Sequence, residues 1–84
     1  MVVKIEELIE KLGHQDEDIR RGAARALGDM GEDAKDAVSV LIQALQDQDR
    51  SVRRSAAKAL EEIGTLEALK AAEEHKKSRI MRGY

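Results

Sequence analysis

Ile19–Gly31 reads IRRGAARALGDMG, and Val52–Gly64 reads VRRSAAKALEEIG. Sliding the chain by 33 residues pairs Arg20/Arg53, Arg21/Arg54, Ala23/Ala56, Ala24/Ala57, Ala26/Ala59, Leu27/Leu60 and Gly31/Gly64, so seven of the thirteen positions are identical. Ile19/Val52, Arg25/Lys58, Asp29/Glu62 and Met30/Ile63 keep size or charge. The register continues backward through Leu8/Leu41, Ile9/Ile42, Leu12/Leu45, Gln15/Gln48 and Asp16/Asp49. A period of this length signals a helical repeat array, in which each unit buries its apolar face only by stacking on a neighbour.

Apolar spacing inside the unit is helical. Ile5, Leu8, Ile9 and Leu12 fall at i, i+3, i+4 and i+7, and Val38, Leu41, Ile42 and Leu45 repeat them. A second stripe, Ile19, Ala23, Ala26, Leu27 and Met30, recurs as Val52, Ala56, Ala59, Leu60 and Ile63. Alanines in mid-stripe leave little side chain between backbones, so neighbouring helices can approach closely. Asp16 and Asp49 stand three residues before Ile19 and Val52, where a short carboxylate accepts from the free N–H groups of a helix start. Gly31 and Gly64 follow the stripes, where a helix stop favours a residue that tolerates positive φ. Thr65 suits a cap for a helix beginning at Leu66. These signals predict five helices, at about 2–12, 17–30, 34–46, 50–63 and 66–80.

Composition matters here for what must fill the core. The 84 residues contain no Phe, Trp or Pro, and the single aromatic is Tyr84, so Leu, Ile, Val, Met and Ala do all the packing in a chain near the lower size for one unaided domain. With 38% charged residues and a net charge of −2, the chain has no overall field toward nucleic acid or anionic lipid. The absence of cysteine excludes a disulfide framework and thiolate chemistry and suits the cytoplasm. MVVKIEELIEKL carries three glutamates where a secretory signal needs an apolar run, and no apolar stretch approaches the roughly 20 residues that span a bilayer.

The run L-x-x-x-D-x-x-I/V-R-R-x-A-A-x-A-L-x-x-M/I-G, at Leu12–Gly31 and again at Leu45–Gly64, resembles the HEAT-like repeats first named from phycobilisome lyase subunits. The resemblance implies an all-α, short right-handed α-solenoid of antiparallel helix pairs, with about two and a half repeats in one domain over 1–84. Residues 1–13 form an N-terminal half repeat, 14–46 the first repeat, and 47–84 the second with its terminal helix. That helix departs from the pattern: Glu73, Glu74, Lys76 and Lys77 stand where the earlier unit, at a 31-residue offset, has Ile42 and Leu45. Such a polar face suits the cap that ends a repeat array. Gly22 against Ser55 and Gly28 against Glu61 also break the repeat, and a mid-helix glycine costs about 1 kcal/mol relative to alanine.

Arg20 and Arg53 lie early in their helices, where positive charge opposes the helix dipole and needs compensation. Asp16 and Asp49 are the nearest carboxylates in sequence, and the resemblance implies that Asp and Arg link adjacent repeats. The expectation is a structural ladder of Asp16, Arg20, Asp49 and Arg53. Arg21, Arg25, Arg54 and Lys58 align on one outer face and suggest phosphate binding. Asp29, Glu61 and Glu62 on the same helices, and the lack of aromatics for base stacking, argue instead for a solvated face.

The remaining helices offer two polar rows, Glu6, Ser39 and Lys70 beside Glu10, Gln43 and Glu74, with Gln46 and Lys77 beyond. These eight residues are the expected partner surface. Val2, Val3 and Ile9 would be left apolar at the open N-terminal end and suggest self-association. His14 and His75 are isolated and give no metal spacing, no cofactor motif is present, and no nucleophile stands with a base partner. The sequence thus points to a non-catalytic protein-interaction or scaffolding module. The alternatives are a small accessory protein related to bilin lyase subunits, and nucleic-acid binding through the Arg/Lys face.

Overall fold

A computed structural model of the protein describes residues 4–81, with the side chains of 79–81 excepted. Five α-helices follow in order: α1 (Ile5–Lys11), α2 (Glu17–Asp29), α3 (Val38–Ala44), α4 (Arg50–Ile63) and α5 (Leu66–Met81), with a 3₁₀ segment, Gly31–Ala37, leading into α3. They form a two-layer slab of 47 × 29 × 15 Å. The repeated helices α2 and α4 pack directly on each other in one layer, while α1, α3 and α5 cover them from the other.

The expected stops are where the chain turns. Asp16 accepts from the backbone N–H of Asp18, and Asp49 from those of Ser51 and Val52. Thr65 Oγ1 accepts from Ala68 N–H at 3.2 Å and starts α5. Gly31 and Gly64 hold φ of +59° and +75°, a region that side chains with a Cβ enter only with strain. Two boundaries differ from expectation. Helix α1 begins only at Ile5, after an extended Lys4. The helix expected over 34–46 opens instead as a 3₁₀ segment with Ala34 off helical geometry, and the α-helix proper is confined to 38–44. At three residues per turn, the spacing of Ala34 and Ala37 keeps both on the core side, where both are buried.

Leu27, Leu41 and Leu60, each fully buried, anchor the core, and each contributes about 1.5–3 kcal/mol by leaving water. Between them the layer contact is made by small residues: Ala24, Ala56 and Ala59 are buried, and Gly28 sits against α4. A Cβ on Gly28 would stand 2.9 Å from Ala59 Cα, so a side chain there would push the helices apart. At the equivalent position of the second unit Glu61 is exposed and pairs with Lys76 of α5. The 31-residue register of the terminal helix is reproduced in its burial. Ala68 and Ala72 are buried where Ala37 and Leu41 are buried one unit earlier, while Glu73, Glu74, Lys76 and Lys77 are exposed.

Candidate functional site

The loops preceding α2 and α4 hold the most organised polar chemistry. In the second loop Asp47 Oδ1 accepts from the backbone N–H of Asp49 at 2.8 Å. In the first loop His14, at the same register, fills that role with Nδ1, accepting from Asp16 N–H at 3.0 Å. Arg20 then spans the two units. Its Nε donates to Asp47 Oδ2 at 2.9 Å and its Nη2 to Asp47 Oδ1 at 3.1 Å, while Nη1 reaches the carbonyls of His14 and Gln15, both at 2.8 Å. The guanidinium is therefore gripped on both sides, by backbone of its own unit and by a carboxylate of the next.

Burial gives this pair its weight. The Arg20 and Asp47 side chains are 10% and 12% exposed, against 37% and 67% for the Arg21–Asp18 pair nearby. Donation to the Asp47 carboxylate outweighs the desolvation of Arg20 and makes it hold its proton more tightly than a free arginine does. Bidentate geometry adds direction as well as attraction. Among the described residues no buried side-chain nitrogen or oxygen is left without a partner.

The ladder expectation named Asp16 and Asp49 as the carboxylates. In the structure both are engaged at the starts of their own helices, and the carboxylate that meets Arg20 is Asp47. Asp49 accepts from the Ser51 hydroxyl and from the Val52 and Ser51 amides, which hold its carboxyl below the usual range. Asp47 escapes the repeat comparison because its counterpart is His14 and the two do not match. The signal for it was the DQD triplet, Asp47–Asp49, whose first carboxylate can turn back onto the loop. Arg53 keeps half of the Arg20 arrangement, with Nη1 donating to Asp47 O at 2.7 Å.

The other candidate residues divide by exposure. Glu6, Glu10, Ser39, Gln43, Gln46, Lys70, Glu74 and Lys77 are all exposed on the layer made by α1, α3 and α5. Arg21 is tied to Asp18 and donates to Ser51 Oγ at 3.2 Å, linking α2 to α4. Arg25, Arg54 and Lys58 are exposed and share a shallow cleft with Asp29, Glu61 and Glu62, so that face carries both signs of charge. Lys76 of α5 pairs with Glu61. Ile9 is half-buried, while Val2 and Val3 lie outside the described residues. No group of three or more potential metal-ligating side chains forms among the described residues, and none of their helices is long and apolar enough to cross a membrane.

The stacked pairs, the doubled caps and the inter-unit arginine agree with a comparison against protein families, in which the model for HEAT repeats matches residues 5–82. The chain belongs to the HEAT-repeat family. HEAT repeats are typically protein–protein interaction modules, and the family is generally non-catalytic. The phycobilisome-lyase type that the motif resembles is a narrower class than the family match establishes. No curated protein matches this HEAT-repeat chain.

Proposed function

We propose that this HEAT-repeat chain is a non-catalytic protein-interaction module whose partner surface is the polar layer of α1, α3 and α5. The observation that carries the reading is the exposure of the six residues of the two polar rows and of Gln46 and Lys77 beyond them, while on the opposite layer Arg21 and Glu61 are held in ion pairs with Asp18 and Lys76. Ser39, Gln43 and Gln46 lie at the centre of that layer, between Glu6 and Glu10 on one side and Lys70, Glu74 and Lys77 on the other. An acidic margin and a mixed margin around neutral polar groups favour a protein surface over a polyanion. The cytoplasm is the proposed location, since a cysteine-free chain gains nothing from an oxidising compartment.

The test is affinity capture from the source cell with the tagged chain and with a Ser39→Arg, Gln43→Glu, Gln46→Glu variant. These exposed substitutions should leave the fold intact, which circular dichroism checks, and should remove the captured proteins. Capture that persists unchanged would place the partner surface elsewhere and overturn the reading. Mixing the chain with a bilin and an apo-phycobiliprotein is expected to leave the absorbance spectrum unchanged, which separates this reading from a lyase-associated role.

A further inference from the structure

The Arg20 site shows what a guanidinium in this frame binds, and among the described residues Arg53 repeats the frame without that ligand. Both arginines occupy the same register, and both are oriented by Nη1 donating to the carbonyl six residues earlier, His14 for Arg20 and Asp47 for Arg53. The Nε and Nη2 edge of Arg20 closes on Asp47; the same edge of Arg53 meets no acceptor among the described residues. At the 31-residue offset of the terminal helix the counterpart of Asp47 is Ser78, which has no carboxylate to offer. The backbone does not form the loop either: α3 ends at Ala44, whereas α5 stays helical through Met81.

Arg53 lines a cleft of about 680 Å³ together with Arg50, Arg54, Gln46, His75 and Ser78. Arg50 and Arg54 are exposed. Asp47, the carboxylate at this cleft, is already committed to Arg20. Among the described residues the local balance is therefore cationic on a chain whose net charge is −2, with one guanidinium oriented by a backbone carbonyl and two exposed ones beside it.

We propose that this cleft binds a carboxylate from an acidic segment of a protein partner, which pairs bidentately with Arg53 as Asp47 pairs with Arg20. A planar carboxylate matches the arginine fork in a way a single-point acceptor does not. Another copy of this chain is a poor occupant, since the residue of its first loop at the corresponding register is His14, which offers no paired oxygens. The proposal rests on the interaction-module reading and adds a second contact, between the start of α4 and α5, with a stated partner chemistry.

The experiment follows arginine Nε–Hε signals of the ¹⁵N-labelled full chain while a blocked peptide with two adjacent aspartates is added at constant ionic strength. An otherwise identical asparagine peptide is the control. The Arg53 signal should shift saturably with the aspartate peptide only, the Arg20 signal should stay, and Arg53→Lys should weaken binding by about tenfold or more, since lysine keeps charge but loses the fork. An Arg53 signal that merely drifts like that of exposed Arg25 would overturn the site, and this measurement needs no variant to fold. Tighter saturation by inorganic phosphate than by the aspartate peptide would overturn the carboxylate assignment. Protein capture from the cell that survives Arg53→Lys but not the α3 substitutions would overturn this site while leaving the interaction reading in place.

Discussion

Asp47 does two jobs with one carboxylate: it braces its own loop through Asp49 N–H and neutralises Arg20 of the preceding unit. Asp47→Asn keeps a loop acceptor but removes the charge that compensates a largely buried guanidinium. It should lower the melting temperature more than Asp18→Asn, which breaks only the exposed pair with Arg21, and thermal denaturation followed by circular dichroism compares them directly. Asp49 carries the acid response. Its carboxyl binds a proton less readily folded than unfolded, so the associated stability is complete above the unfolded aspartate value of about 3.9 and is lost as pH falls through the lower folded value. Asn is as good an N-cap as Asp, so Asp49→Asn should lose less stability than the parent on acidification from about pH 5 to below pH 3. Melting curves across that range would refute this if the two fell in parallel. The caps were readable in sequence because each acts within three residues of itself. The Arg20–Asp47 pair was not, because its two members sit 27 residues apart and only stacking decides which carboxylate arrives.

At the scale of the helices, the two glycines that interrupt the repeat are physically unlike. Gly22 is exposed, and a Cβ there meets nothing within 4 Å. Gly22→Ala should stabilise the chain by about 0.8–1 kcal/mol through helix propensity alone. Gly28 sits against the α4 backbone, and Gly28→Ala should cost about 1–3 kcal/mol by overpacking, despite the same gain in propensity. Urea denaturation of both variants gives the two signs; a stabilising Gly28→Ala would mean that the helices separate freely. Sequence periodicity fixed which helices exist, because the apolar stripes of α2 and α4 are written twice. It did not show the 3₁₀ start of the third helix, where burial of Ala34 and Ala37 decides the geometry rather than any pattern of large residues.

Across the whole molecule, packing is uneven. The contact between α2 and α4 is dense, with Ala24, Leu27, Ala56 and Leu60 each fully buried, whereas among the described side chains α5 commits only Ala68 and Ala72 fully and leaves Leu66 77% and Leu69 45% exposed. Amide exchange should therefore be fastest in α5 among the three longest helices, α2, α4 and α5, and slowest in α4, as measured by exchange mass spectrometry; equal protection would contradict this account of the packing. The sequence showed the polar character of the terminal helix but not how thin its attachment is, because alanines in a charged helix look alike whether buried or not.

The Arg20–Asp47 link has a thermodynamic consequence. Neither unit completes its own arginine site, so the coupling free energy lies between neighbours rather than inside them, and a partly unfolded chain would strand a desolvated charge in whichever unit remained. Calorimetry of this short array should show one transition, with the calorimetric and van't Hoff enthalpies equal, and two resolved transitions would show that the units melt independently. Repetition builds the chain from similar parts, and the shared arginine makes the parts stand or fall together.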